Sequence, residues 1–173
     1  MNKTLLNIIR FVALILFQVF VVNNIRLGGY VHPYVYIIFI MLLPINIPNW
    51  QLLVLGFFLG LAVDFFGGTP GLHAGATTFM AFCRPYILNL LSGHQKYENV
   101  QEPNLGQQGG LWFIKYTSCM VIVHHLFLFL AESFSFKLFG QVLLRILISA
   151  PVSIFLIMMI LYIFKSDKKR DSR

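Results

Sequence analysis

Charged side chains are scarce in this chain. Asp, Glu, Lys and Arg make up 11% of its 173 residues, whereas 58% are hydrophobic, and the mean hydropathy is +0.77. A soluble core of this size cannot bury that much apolar surface, so the composition argues against a soluble globular protein. The side chains require lipid as their solvent, and we expect an all-α membrane protein with a single polytopic domain over residues 1–164.

Motifs that carry chemistry are also missing. The chain has no glycine-rich P-loop with its lysine and no GxSxG serine, and Asp64 is the only aspartate in its apolar stretches. Phosphate handling and intramembrane proteolysis therefore lack their residues, so we expect no enzyme activity and no cofactor. The two cysteines, Cys83 and Cys119, form no CxxC pair, which favours packing inside the domain over a disulfide.

The five histidines lack metal-binding spacing. His124 and His125 are adjacent in an apolar helix, where neighbouring side chains point about 100° apart, so they do not share a metal on one face. Buried hydrogen bonding is the favoured reading for both. His32, His73 and His94 adjoin turns or loops without an HExxH-like pattern. We expect no metal site.

The net charge of +7 comes largely from one end of the chain. Five of the thirteen Lys and Arg residues lie in the last nine residues, directly after an apolar helix. This placement follows the positive-inside rule and suits an anionic lipid surface, so membrane lipids are expected partners and nucleic acid is not. We interpret residues 165–173 as a basic cytoplasmic tail.

Apolar periodicity predicts about six transmembrane helices. Their approximate bounds are 4–22, 30–43, 49–66, 70–91, 111–131 and 138–164, and residues 92–110 form a polar cytoplasmic loop. The first helix lacks a small-residue cleavage site, so we expect it to be retained. The second helix is short and ends at Pro44, which leaves open a tilted or partly re-entrant segment. The basic residues predict cytoplasmic N- and C-termini.

The third and fourth helices carry glycines at four-residue spacing. Such GxxxG steps let two backbones approach closely in lipid, so Gly56, Gly60, Gly71 and Gly75 predict a tight helical hairpin. These glycines either pack the two helices together or present a face to a partner helix. The turn between the helices contains Gly67 and Gly68, which tolerate positive φ, and Pro70, which suits the first turn of a helix.

Asp64 is an ionisable residue at the end of the third helix. Such a residue at membrane depth is costly and is a functional candidate by default. It either caps the following turn or pairs with a base, or it contacts a partner or ligand directly. We predict Arg145 as its ion-pair partner. Arg84 lies about four turns beyond Pro70, and we expect it to snorkel, to bond near Asn7 and Arg10, or to contact lipid phosphate.

Two stretches resemble a known family. They are PYVYIIFIMLLP over residues 33–44 and LGFFLGLAVDFFGGTPGLH over residues 55–73, with a proline-terminated second helix followed by a glycine-rich acidic corner. The chain resembles the rod shape-determining protein MreD family. That resemblance implies a fold similar to the six-helix substrate-binding subunits of energy-coupling-factor transporters. It places weight on the residues that match its motif: Asp64, Gly67, Gly68, Pro70, Gly71 and His73.

The resemblance further implies a non-enzymatic scaffold of the bacterial inner membrane. Proteins of this family act in cell elongation with MreC, with the actin-like MreB, and with the polymerase RodA and its class B penicillin-binding protein, linking peptidoglycan synthesis to the cytoskeleton. The alternative is a substrate-binding subunit of a vitamin-type transporter with an outward cavity near Asp64. Against it, Ala13 is the only small residue in the first helix, which therefore lacks the small residues at four-residue spacing expected for docking an energising partner.

Overall fold

A computed structural model of the chain describes residues 3–25, 31–92, 102–133 and 139–170. Its secondary structure is helical. The helices are α1 Lys3–Phe20, a short 3-10 helix Val22–Asn24, α2 Ile38–Met41, α3 Asn49–Gly67, α4 Leu72–Ser92, α5 Leu105–Gln108, α6 Gly110–Ser133 and α7 Phe139–Arg170. α4 packs between α3 and α6, α6 packs on α7, and α1 lies beside α3.

Within the described residues, four helical stretches are long and apolar enough to cross a membrane. They are Leu5–Asn24, Asn49–Gly67, Gly110–Ser133 and Phe139–Phe164. The expectation of an all-helical membrane protein is supported, and four of the six expected spans meet the requirements of length and composition. α4 is as long as these helices, but its threonines, histidine and arginine lower its hydropathy.

The second predicted helix is mostly absent. The helical part is confined to Ile38–Met41, and residues 31–37 run through the protein without helical structure. Pro33 favours this outcome because it disfavours helical geometry in the residue before it and has no N–H to donate. Val35, Tyr36 and Ile37 have no exposed surface. We call residues 31–37 the buried segment.

The predicted loop and the predicted start of the basic tail also differ from the structure. α5 and the first residue of α6 lie within residues 92–110, which the sequence suggested were a loop throughout. α7 continues as a helix to Arg170, six residues beyond the predicted boundary at 164. The described part of the basic tail is therefore helical in its backbone.

The predicted hairpin of α3 and α4 is present, and glycines allow its close approach. A Cβ added at Gly56 would lie 3.0 Å from the carbonyl oxygen of Thr77 and 3.1 Å from the Cβ of Ala81. A Cβ at Gly60 would overlap the carbonyl of His73 and the hydroxyl of Thr77. The backbones of the two helices thus meet where α3 lacks side chains, as in other small-residue contacts in membranes.

Candidate functional site at the Asp64 corner

The carboxylate of Asp64 caps the start of α4. Its Oδ2 accepts the backbone N–H groups of Gly71 at 3.1 Å and Ala74 at 2.9 Å, and its Oδ1 accepts the N–H of His73 at 3.0 Å. The first N–H groups of a helix lack partners within the helix, and an anion there also interacts favourably with the helix dipole. Of the roles considered for Asp64, the structure gives the capping role directly.

Two side chains complete the set of donors around Asp64. The hydroxyl of Thr69 donates to Oδ1 at 2.9 Å, and Nδ1 of His73 lies 2.9 Å from the same oxygen. Thr69 Oγ1 is also 3.1 Å from that same Nδ1. A hydrolytic triad instead needs the hydroxyl on the far nitrogen of the imidazole, so this arrangement positions the corner and does not activate a nucleophile.

The turn itself uses two glycines with positive φ. Gly68 ends α3 in the left-handed region with φ of 66°, and Gly71 follows with φ of 86°. Gly67 remains in α3, so the left-handed conformation expected for Gly67 and Gly68 is adopted by the second of them. Pro70 lies between the two left-handed glycines and before the first residue of α4.

The predicted ion pair of Asp64 with Arg145 is wrong. Asp64 is 2% exposed, and its side-chain hydrogen bonds within the described residues are with the turn and the start of α4. Arg145 instead donates to Glu132 at 2.9 Å, and its guanidinium lies 5.6 Å from the ring centre of Phe129. The helix start supplies N–H donors within a few residues of Asp64, which removes the need for a distant base.

A cavity of about 230 Å³ opens beside the corner. It lies between the 3-10 helix, the start of the buried segment, the end of α3 and the start of α4. Its walls combine apolar and polar side chains, and the lining residues are Val22, Asn23, Ile25, Val31, His32, Pro33, Tyr34, Val63, Gly67, Thr69 and His73. We call this space the corner cavity.

Side chains from α1 and α7 satisfy the backbone of the buried segment. Gln18, which has no exposed surface, accepts the N–H of Val35 at 2.8 Å and donates to the carbonyl of Pro33 at 3.1 Å. Ser149 accepts the N–H of His32, and Ser153 that of Tyr34. Non-helical backbone persists at membrane depth only where protein groups replace water, and these side chains do so. No sequence motif pointed to Gln18 or the serines; the available signal was a lone amide inside an apolar helix.

Both α6 histidines are buried and hydrogen-bonded, as expected. Nε2 of His124 lies 2.8 Å from the hydroxyl of Tyr36, and Nδ1 of His125 lies 2.9 Å from the carbonyl of Val121. Nε2 of His125 is 3.1 Å from Ser153. The described residues contain no cluster of three or more His, Cys, Asp or Glu side chains placed to hold a metal. These histidines therefore join α6 to the buried segment and to α7.

Arg84 occupies a different place from the expected one. It is 1% exposed, and it donates to the hydroxyl of Tyr116 at 3.0 Å and to the carbonyls of Pro44 at 3.3 Å, Met41 at 3.4 Å and Leu43. These carbonyls follow the short helix α2, where they lack helical partners. The guanidinium serves as an internal cation at that helix end.

The expected contacts of Arg84 with the first helix or with lipid phosphate are therefore wrong. Asn7 and Arg10 contact each other instead, at 3.5 Å. The planar guanidinium has five donors and reaches several carbonyls at once, which makes burial more favourable than extension to the membrane surface.

Arg84→Lys is expected to loosen the end of α2. A lysine has a single compact ammonium group and cannot span the carbonyls of Met41, Leu43 and Pro44 together. The carbonyls of Met41 and Pro44 keep other donors, so the buried carbonyl of Leu43 is the one left unpaired, at a cost of about 2 kcal/mol. Unfolding of the purified variant in detergent, with hydrogen exchange over residues 38–47, measures both effects. Arg145→Lys is the control because that arginine is part-exposed, and an unchanged Arg84→Lys would contradict the role described.

A second recess faces outward between α3 and α4. Its volume is about 530 Å³, and it is lined by Leu53, Phe57, Gly71, Ala74, Gly75, Thr78, Phe79 and Phe82. Gly71, Ala74 and Gly75 form a floor of small residues, and phenylalanines form the walls. We call it the α3–α4 groove. A Cβ at Gly75 would lie 2.9 Å from the Phe127 ring, so this glycine also admits α6.

The glycines predicted as one face thus divide into two sets. Gly56 and Gly60 face α4 and are buried inside the hairpin, whereas Gly71 and Gly75 line the outward groove.

Searches against known protein-family models, curated proteins and solved structures find no significant match. The apolar helices and their protein-filled interior define a helical membrane protein.

Proposed function

We propose that the chain is a non-enzymatic scaffold of the bacterial cell-elongation machinery in the inner membrane. Its partners would be MreC, MreB, and RodA with its class B penicillin-binding protein, and both of its termini would lie in the cytoplasm. The resemblance of residues 33–44 and 55–73 to the MreD family motivates these names. In this role the protein connects peptidoglycan synthesis to the actin-like cytoskeleton by packing against other membrane helices.

The α3–α4 groove is the observation that supports this proposal. The polar groups of the Asp64 corner are engaged with the protein's own backbone, whereas the groove offers an apolar outward surface with a floor of small residues. Small residues let a second backbone approach closely, and packing of this kind drives helix association in lipid. We assign the groove to one transmembrane helix of a partner.

Adjacent phenylalanines on α3 provide a matched test of the groove. Phe57 lines it, whereas Phe58 is also exposed but does not line it; their exposed fractions are 45% and 55%. Phe57→Ala combined with Phe82→Ala removes a ring from each wall, and we expect roughly tenfold weaker binding to the partner helix. Co-purification from detergent with each named partner, and restoration of rod shape in cells that lack the native protein, measure the loss.

The control pairs Phe58→Ala with Phe155→Ala, which removes two exposed rings outside the groove. It should retain partner recovery and cell shape. Equal behaviour of the two double variants would reject the groove as the docking site. If none of the named partners is recovered with the unmodified chain, the elongation role itself is rejected.

The corner cavity favours a second candidate, a substrate-binding subunit of a vitamin-type transporter. A recess with polar and aromatic walls suits a small ligand, and it lies beside Asp64, where this function would need its ligand. This function requires a partner that energises transport. Recovery of a bound vitamin and of such a partner with the purified chain would place transport ahead of the scaffold role.

A further inference from the structure

We propose that the corner cavity binds a small, uncharged heteroaromatic molecule that both donates and accepts hydrogen bonds. The site goes beyond the scaffold role, and it rests on the second candidate function, which uses the same cavity. The cavity and the α3–α4 groove share no lining residue, so a ligand and a partner helix can occupy the protein together.

The size of the cavity limits the ligand. Its volume is about 230 Å³, which corresponds to roughly seven or eight waters at the volume that each has in the liquid. A single ring with a polar substituent fits this space. A lipid chain or a folded peptide does not.

The walls select against charge. Among the described lining residues none is Asp, Glu, Lys or Arg. The carboxylate of Asp64 is adjacent, but its two oxygens accept five hydrogen bonds from the turn and from His73. Among the described residues no free opposite charge offsets the hydration that an ion would lose on entering the cavity, so a neutral molecule is favoured.

The aromatic and polar side chains of the cavity suit a planar ligand. Tyr34 and His73 meet edge to face with their centres 5.3 Å apart, and His32 adds a third ring to the lining. Aromatic walls bind flat molecules through such offset and edge contacts. Asn23 and Thr69 contribute amide and hydroxyl groups for hydrogen bonding.

Neighbouring contacts hold these groups in place before any ligand enters. Nδ1 of His73 is fixed on Asp64, and the side-chain oxygen of Asn23 accepts from Gln18 at 2.8 Å. The backbone N–H of Tyr34 is held by Ser153 at 3.0 Å. Pre-positioned groups lower the ordering cost of binding, so the cavity has the properties of a binding site.

Nicotinamide and nicotinate form a suitable pair of probes, since they share a ring and differ in charge. We expect saturation-transfer NMR on the full-length protein in detergent to show binding of nicotinamide with a roughly millimolar dissociation constant, and at least tenfold weaker binding of nicotinate. Empty micelles give the background. Equal binding of the two probes would overturn the neutral selectivity, and no binding of nicotinamide at ten millimolar would overturn the site.

A variant that fills the cavity distinguishes binding in the cavity from non-specific binding elsewhere on the protein. Val31→Trp places an indole in the cavity and should abolish the nicotinamide signal, whereas Val54→Trp, on the exposed face of α3 outside both recesses, should retain it. Thermal unfolding checks that both variants fold. If Val31→Trp misfolds, Val31→Phe replaces it; that variant fills part of the cavity with a smaller ring and should weaken nicotinamide binding by severalfold. Unchanged binding in the folded variant would reject the cavity as the site.

Discussion

Gly60→Leu is expected to unfold the α3–α4 hairpin. A Cβ at this position already overlaps the carbonyl of His73 and the side chain of Thr77, and helical backbone cannot move aside as a flexible side chain can. A leucine adds three further carbons, so α3 and α4 must separate. We expect a loss of about 3 kcal/mol or more in the free energy of unfolding. Denaturant titration of the protein in mixed micelles measures it.

Gly140→Leu is the matched control, because a Cβ at Gly140 meets no atom within 4 Å. It lies in α7, so the propensity effect of replacing a helical glycine is shared by both variants. A stable Gly60→Leu would contradict the close backbone contact. The comparison also shows that lost partner binding in Gly60→Leu would report a damaged fold and would not identify a partner-binding face.

Local sequence patterns predicted the contact side of α3 in the hairpin. Glycines four residues apart leave one side of a helix free of side chains, and Gly56 and Gly60 do so where α3 meets α4. The second predicted glycine pair does not lie in this contact, because Gly71 precedes α4 and Gly75 faces Phe127 of α6. Likewise, an acid directly before a glycine-rich turn and a helix start lies within reach of the N–H groups that it caps. In both cases the interacting groups are close in sequence, and few geometries connect them.

Contacts between distant parts of the chain were not predictable in the same way. Arg84 reaches carbonyls some forty residues away, and Gln18 reaches Pro33 and Val35 across a turn. These partners come within reach only because the buried segment is not helical. The short apolar run over residues 30–43 did not reveal that the segment is non-helical. An apolar run of that length is compatible with either a short helix or buried extended chain, so periodicity cannot decide between them.

One physical requirement applies both at the Asp64 corner and in the interior of the fold: backbone groups without helical partners need other hydrogen-bond partners. Backbone groups without helical partners are exposed to an apolar medium at the start of α4, along the buried segment and after α2, and each receives a polar side chain: Asp64, Gln18 with two serines, and Arg84. Unpaired polar groups are costly where water is absent. The buried polar side chains of this chain therefore determine which backbone path is stable in the membrane.

Asp64→Asn provides the strictest test of that conclusion, because it conserves shape and removes only charge and acceptor capacity. Whichever way the amide is turned, its NH₂ group faces donors: the N–H groups of Gly71 and Ala74 in one orientation, or those of His73 and the Thr69 hydroxyl in the other. At least two donors lose their acceptor, and the helix start loses its anion, at a combined cost of about 3 kcal/mol.

Thermal unfolding in detergent and hydrogen exchange at the first turn of α4 measure the effect of Asp64→Asn. Glu132→Gln is the control, since Glu132 is a hydrogen-bonded carboxylate too, paired with Arg145, but has 44% of its side chain exposed, where an ion pair contributes little. A carboxylate needed only for a partner would leave the isolated Asp64→Asn protein as stable as the control while abolishing assembly. A carboxylate that builds the corner makes the isolated protein unstable before any partner is added, and the five hydrogen bonds at Asp64 lead us to expect the second result.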